Sequence, residues 1–386
     1  MTASEIYLDH AASTMVRAEA QEAWLAATAA HYANPTGAHK AARDARRALD
    51  DARDLLAAQL GRPPAEVVFT SGGSEADNLA VRGTLAARGG VAVCSAGEHH
   101  AVLEPVEHAN GLIVPLNAEG QVTPEALANT LQSAENVSIV SIIAVNNETG
   151  AINDLKALSA VVRDYAPNAL LHTDAVQALC WVDLAEAIND VDMVSITGHK
   201  VGAPVGTGAL FVRSEVELEA QILGGGQERG RRAGTPDVAG AAAFAAAVES
   251  TVAQRPGELT RLAKLRDRLV DGLVERLGGV VVPTLLGKGH DDGVAAGIAH
   301  ICLAGVEAEA LLFLLDVVGV RASAASSCSS GAQDPSHVLA AMGVPRELAQ
   351  GSLRLSLGHN TTSTDIETAI DLIADAVVRL LSHGGG

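Results

Sequence analysis

The chain has 386 residues, 48% of them hydrophobic and only 2% aromatic, and its 27 Lys plus Arg against 46 Asp plus Glu give a net charge of −19. That apolar content excludes a disordered chain, and the length predicts about two domains. So acidic a surface argues against nonspecific binding to nucleic acid or anionic membrane, and no apolar run approaches the roughly 20 residues of a spanning helix.

Short β-rich runs alternate with helical stretches through the first two-thirds. In chain order the runs are EVVFTSG, VAVCSAG, GLIVPLN, VSIVSIIAVNN, LLHTDAV, DMVSITG and GALFV. Several are continuously apolar, as strands buried on both faces are. SEADNLAVRGTLAARG and LKALSAVVRDYA between them read as helices. This alternation predicts an α/β domain with a mainly parallel sheet. TVAQRPGELTRLAKLRDRLVDGLVERLGG reads as a long amphipathic helix, with Pro256-Gly257 marking a break. Beyond it, AAGIAHICLAG, GVRASA and SLRLSLG read as strands of a smaller α+β unit. EAEALLFLLDVVG, PSHVLAAMG and TDIETAIDLIADAVVRLLSH are its helices.

Ligands of an open α/β sheet sit beyond the carboxyl ends of the strands, so the residues following each run are the informative ones. After EVVF come Gly72, Gly73 and Ser74, a glycine-lined helix start suited to a phosphate; a well-capped helix alone gives the same pattern. His99 and His100 follow the second run, Asn146 and Asn147 the fourth, and Asp174 and Gln177 the fifth. Each has an ordinary structural reading as a turn or cap residue. Thr197, Gly198, His199 and Lys200 end the sixth. Together a lysine, a carboxylate, a histidine, amides and a phosphate-competent helix start form the set a pyridoxal phosphate enzyme uses.

The cysteines Cys94, Cys180, Cys302 and Cys328 are far apart, with no CxxC pair. No zinc site is expected, and a reduced, cytoplasmic setting fits. No basic-plus-apolar leader opens the chain. Cys94, Cys180 and Cys302 lie in apolar runs, as inert buried thiols do, whereas Cys328 lies among small polar residues in SAASSCSSGAQDPSHVL.

YLDHAAST, NPTGAH, EVVFTSGGSEADNLA, EHHAVLEP, VNNETG, HTDAVQ, SITGHKVGAPVGTGAL, GGGQERGRRAGTPDV and GSLRLSLG occur in this order over nearly the whole chain. In these blocks the sequence resembles the cysteine desulfurases of the NifS/IscS type, within the class V aminotransferase group. The resemblance implies the fold type I of pyridoxal phosphate-dependent transferases. A large domain with a seven-stranded, mainly parallel sheet would cover 15–257. A smaller α+β domain, made of 1–14 and 258–386, would carry the cysteine segment. The cofactor would be pyridoxal 5′-phosphate, with Lys200 as its Schiff-base lysine, Asp174 at the pyridinium nitrogen and Gln177 at the phenolic oxygen. His99 would stack on the ring. Gly73, Ser74, Thr197 and His199 would hold the phosphate, joined by Thr235 from the partner subunit of a homodimer. Asn147 would lie near the phenolic oxygen and the substrate carboxylate, which Asn34 and Arg354 would bind. Cys328 would take sulfur from L-cysteine as a persulfide, releasing alanine, and pass it to an acceptor protein. His100 is expected on a solvated face.

Two departures stand out. The stretch from Ser323 to Cys328 lacks the glycine of the family's Ser-Ser-Gly-Ser-Ala-Cys pattern, which reduces backbone freedom. LGHN replaces a common LGRF after Arg354. A selenocysteine lyase, another enzyme of the same fold, and a non-catalytic desulfurase-like scaffold remain as alternatives. Iron–sulfur assembly, tRNA thiolation and DNA phosphorothioation all draw on such a persulfide, and the sequence does not choose among them.

Overall fold

Apolar runs punctuated by Gly, Asn, Asp and Ser set the element order of the computed structural model, which describes residues 5–285, 293–324 and 336–383. The first part comprises β1 (Ile6–Tyr7), α1 (Ala18–Ala30), α2 (Lys40–Gln59), β2 (Val67–Thr70), α3 (Gly73–Arg88), β3 (Val91–Ser95), α4 (His100–His108) and β4 (Leu112–Val114). There follow α5 (Pro124–Gln132), β5 (Val137–Ser141), α6 (Leu155–Tyr165), β6 (Leu170–Asp174), α7 (Leu184–Ala187), β7 (Met193–Thr197) and β8 (Gly208–Val212). The remainder holds α8 (Val238–Leu277), β9 (Val281–Pro283), β10 (Ile298–Leu303), α9 (Ala308–Val317), β11 (Val320–Arg321), α10 (His337–Ala341), α11 (Arg346–Ala349), β12 (Ser352–Ser356) and α12 (Ser363–His383).

The seven predicted runs form one seven-stranded sheet in the order β2-β8-β7-β6-β5-β3-β4. The strands from β4 to β7 pair in parallel, and β8 runs antiparallel to both β7 and β2. Every residue of β7 and β8 is buried, which is why these strands read as unbroken apolar stretches rather than alternating ones. Because β5, β6 and β7 are parallel, their carboxyl ends lie along one edge. The register sets Ser141 beside His172, and Asp174 beside Ser195.

Apolar side chains gather into separate clusters. The largest joins the sheet to helices on one of its faces and includes Ala243, Phe244, Ala247 and Val248 of α8. A second, built on β10 and β12, includes Leu262, Leu269 and Leu273 of α8 together with Ile6 and Leu8. The expected break at Pro256-Gly257 is absent: α8 runs on through Pro256 as one helix of 40 residues. A helix-interior proline costs about 3 kcal/mol. Burial of each large apolar side chain contributes about 1.5–3 kcal/mol, and both flanks of Pro256 are anchored in this way, so the helix continues.

Among the described residues no helix is long and apolar enough to cross a membrane.

Candidate active site

A cavity of about 350 Å³ opens where β6 and β7 end and α3 begins, within the roughly 300–1,000 Å³ usual for small-molecule sites. Each wall follows from local structure. α3 starts at Gly73 directly after β2, with Gly72 as its N-cap and no side-chain cap, so Ser74 lies in the first turn rather than capping it. The free N–H groups of that turn make an anion-competent surface. A Cβ on Gly73 would lie 2.6 Å from Val176 Cγ2, so only glycine lets the turn approach the end of β6 this closely. After β7 the chain makes a short 3₁₀ turn over Gly198–Lys200, which turns Lys200 towards the cavity. The Lys200 ammonium donates to the carbonyls of Ala12, at 2.7 Å, and Ala11.

Asp174 ends β6 at 3% exposure, and its Oδ1 accepts the Val176 N–H at 2.9 Å. Burial raises its pKa; the neighbouring His99, the Val176 bond and Lys200 oppose that rise. His99 caps α4, with Nδ1 accepting the Ala101 N–H at 3.1 Å, which leaves Nε2 to carry the proton of the neutral ring. Burial lowers its pKa, so the ring is uncharged at neutral pH. Gln177 lines the same cavity and donates to the Ala11 carbonyl at 2.7 Å. Arg354, on β12 and 4% exposed, donates from Nη2 to Asp9 Oδ1 at 2.8 Å and from Nη1 to the Asn147 carbonyl at 2.9 Å. Its Nε is buried with no partner among the described residues.

Ten of the residues singled out in the sequence thus share one cavity: Gly73, Ser74, His99, Asn147, Asp174, Gln177, Thr197, His199, Lys200 and Arg354. Asn34 and Thr235 do not line it. Asn34 is exposed, and its Oδ1 accepts from the backbone and hydroxyl of Thr36. Thr235, also exposed, borders a separate cavity of about 120 Å³ beside Ser71 and Arg232. Cys328 lies outside the described residues, although Ser323, just before it in the chain, lines the main cavity. Cys94 and Cys302 are buried, and burial raises the pKa of all three remaining thiols, that of Cys180 to about 11, so none is a ready thiolate. His100 is not simply solvated: its ring packs 4.8 Å from that of His337.

Sequence reading missed two carboxylates of this cavity, Asp9 and Asp77. Asp77 was detectable, because Ala76, Ala80, Val81 and Thr84 on the buried side of α3 place it on that same face.

The residues present fit pyridoxal phosphate. The cavity presents an amine, a buried carboxylate, a glycine-lined helix start with Ser74 and Thr197 hydroxyls, and a neutral imidazole. The Arg354 Nε, without a partner among the described residues, is a buried polar atom of the kind a bound ligand satisfies.

The class-V aminotransferase family matches residues 6–368. An IscS-like cysteine desulfurase of Mycobacterium tuberculosis is 41% identical over 97% of this chain and 96% of its own length. A solved NifS-like protein superposes with a TM-score of 0.89 at 28% identity, covering 97% of this chain and all (100%) of that one. The structure of SspA in complex with cysteine matches with a TM-score of 0.76 at 29% identity, over 91% of this chain and 98% of that one. Likeness of this extent, over a cavity furnished in this way, places the chain in the class-V aminotransferase family, among the pyridoxal phosphate-dependent cysteine desulfurases of the IscS/NifS type.

Proposed function

We propose that the chain converts L-cysteine to L-alanine in the cavity at Lys200, with the sulfur passing to Cys328 as a persulfide destined for an acceptor protein. The observation that carries this reading is the position of the Lys200 amine at the edge of the cavity into which the buried Asp174 carboxylate also opens. Bound covalently at Lys200, pyridoxal phosphate supplies an electron sink for the substrate α-carbon.

The chain's own residues provide the rest. The first turn of α3 at Gly73 and Ser74, with Thr197 and His199, holds the phosphate through N–H and O–H donors. His199 is suited to this as a neutral donor, its pKa lowered to about 4, chiefly by burial. With the cofactor bound, Asp174 would face the ring nitrogen, Gln177 and Asn147 would serve the phenolic oxygen, and His99 would lie against the ring with a proton at Nε2. Arg354 takes the substrate carboxylate through its Nε–H, which has no partner among the described residues, assisted by Asn34. The reaction balances as cysteine plus the Cys328 thiol giving alanine plus the Cys328 persulfide. Exposed Thr235, outside its own chain's cavity, serves the phosphate of the partner subunit in a homodimer. The large domain over 15–257 then carries the cofactor, and the small domain, 1–14 with 258–386, carries the cysteine.

Incubation with cysteine labelled in its sulfur tests the proposal. Equimolar alanine and one labelled sulfur on Cys328 are expected, with no protein-bound label in Cys328→Ser. Full turnover by that variant with label on another cysteine would refute the role of Cys328.

A further inference from the structure

Polar groups that no step above uses lie behind Asp174. Asp77 is 1% exposed on the inner side of α3, and its Oδ1 has no hydrogen-bond partner among the described residues. His172 and Asp174 lie two residues apart on β6 and so share one face of the strand. His172 is fully enclosed: its Nδ1 is 2.8 Å from Ser141 Oγ and its Nε2 2.9 Å from Ser195 Oγ. Asp77 Oδ1 approaches the same Nε2 at 3.7 Å. Asp77 and Asp174 line one cavity.

Two carboxylates buried at one cavity cannot both ionise cheaply, because desolvation and like charge oppose the second charge. Asp174 is the better supported anion, with the Val176 N–H and the Lys200 charge in its favour. Asp9, a third carboxylate at the cavity, is already paired with Arg354. Asp77 has only the Ser195 hydroxyl in its favour. Burial raises its pKa well above the ordinary range, with Asp174 and then Glu98 adding like-charge repulsion that the nearby Ser195 hydroxyl offsets only in part. Its basic neighbour His172 is pushed down to about 3 by burial and carries no compensating charge at neutral pH.

We propose that Asp77 is a positioning residue held as the neutral carboxylic acid, and that Asp77, Ser195, His172 and Ser141 form an uncharged layer that confines the negative charge to Asp174. This rests on the reading of Asp174 as the partner of the ring nitrogen. An ionised Asp77 would present a second anion to the same cavity and weaken the directional pull of Asp174. The alternative state of this network is an Asp77 carboxylate paired with a His172 imidazolium.

Infrared spectroscopy of the holoenzyme, with aspartate ¹³C-labelled at the side-chain carboxyl, separates the two. The label distinguishes Asp77 from the buried Glu98. A protonated aspartic acid carbonyl band that shifts with the label is expected at neutral pH in the wild type and absent from Asp77→Asn. The amide has the shape and charge of the neutral acid, so Asp77→Asn retains pyridoxal phosphate, whereas Asp174→Asn, which loses a charge-assisted bond, weakens it roughly ten- to a hundredfold. A wild-type holoenzyme with no such band overturns the proposal without need of any variant, as does an Asp77→Asn protein that loses cofactor as Asp174→Asn does. Failure of the wild type to bind the cofactor at all would instead overturn the reading of Lys200 and Asp174.

Discussion

Arg354 offers the sharpest quantitative test of the substrate site. Arg354 is 4% exposed, two of its donors are committed to Asp9 and the Asn147 carbonyl, and Nε–H has no partner among the described residues. In Arg354→Gln the carboxylate of cysteine loses a charge-assisted hydrogen bond, about 1.5–3 kcal/mol, or roughly ten- to a hundredfold in affinity. The Asp9 side chain, 23% exposed, regains water when its partner is lost, so the structural cost stays below that of a fully buried ion pair. Steady-state alanine formation against cysteine concentration reads the effect as a raised KM, and cysteine-dependent change in the visible spectrum reads it as a raised Kd. Cofactor absorption in the absence of cysteine is expected to persist, which separates substrate binding from damage to the cofactor site. A KM within twofold of wild type, with the cofactor bound, would refute the assignment.

Gly73→Ala places a Cβ 2.6 Å from Val176 Cγ2; overpacking of about 1–3 kcal/mol is expected to loosen cofactor retention on dialysis, and undiminished retention would contradict the close-approach argument. Arg53 and Glu228 form a buried bidentate pair at 2.8 Å, side chains 7% and 4% exposed, and Glu228 also accepts the Phe69 N–H. Glu228→Gln leaves the Arg53 charge buried without its carboxylate, so chemical denaturation should show a loss of about 3–5 kcal/mol; a loss under about 1 kcal/mol would count against it. His300, its pKa lowered from 6.5 to about 3 by burial and then by Arg354, is neutral in the fold. The unfolded chain therefore takes up this proton first as pH falls. The stability due to the neutral ring is complete above pH 6.5 and is lost towards pH 3, at about 1.4 kcal/mol per pH unit. His300→Gln should reduce the slope of stability against pH by one proton between those limits, and an unchanged slope would show that the ring charges freely in the fold.

The large sheet was legible because its strands are buried on both faces and so appear as apolar runs bounded by turn residues; all seven runs from Glu66 to Val212 are strands of it. β1 and β9, of two and three residues, are too short to show a period and exist through pairing with β11 and β10. The break expected at Pro256 failed because local propensity yields to packing on both sides of it. In the site, strand ends announced Asp174 and Lys200, since topology alone brings the ends of parallel strands together. Asp9 was not announced, because its role depends on Arg354, 345 residues away in sequence. Asn34 and Thr235 owe their expected roles to resemblance alone, and within one chain they stand apart from the cavity.

The central claim is that Lys200 binds the cofactor covalently. Reduction of the purified protein with borohydride, followed by peptide mass mapping, tests it directly. A phosphopyridoxyl group is expected on the peptide containing Lys200 and none in Lys200→Ala. Recovery of the group on any other lysine, or an unmodified Lys200 in protein that retains the visible cofactor band, would contradict it.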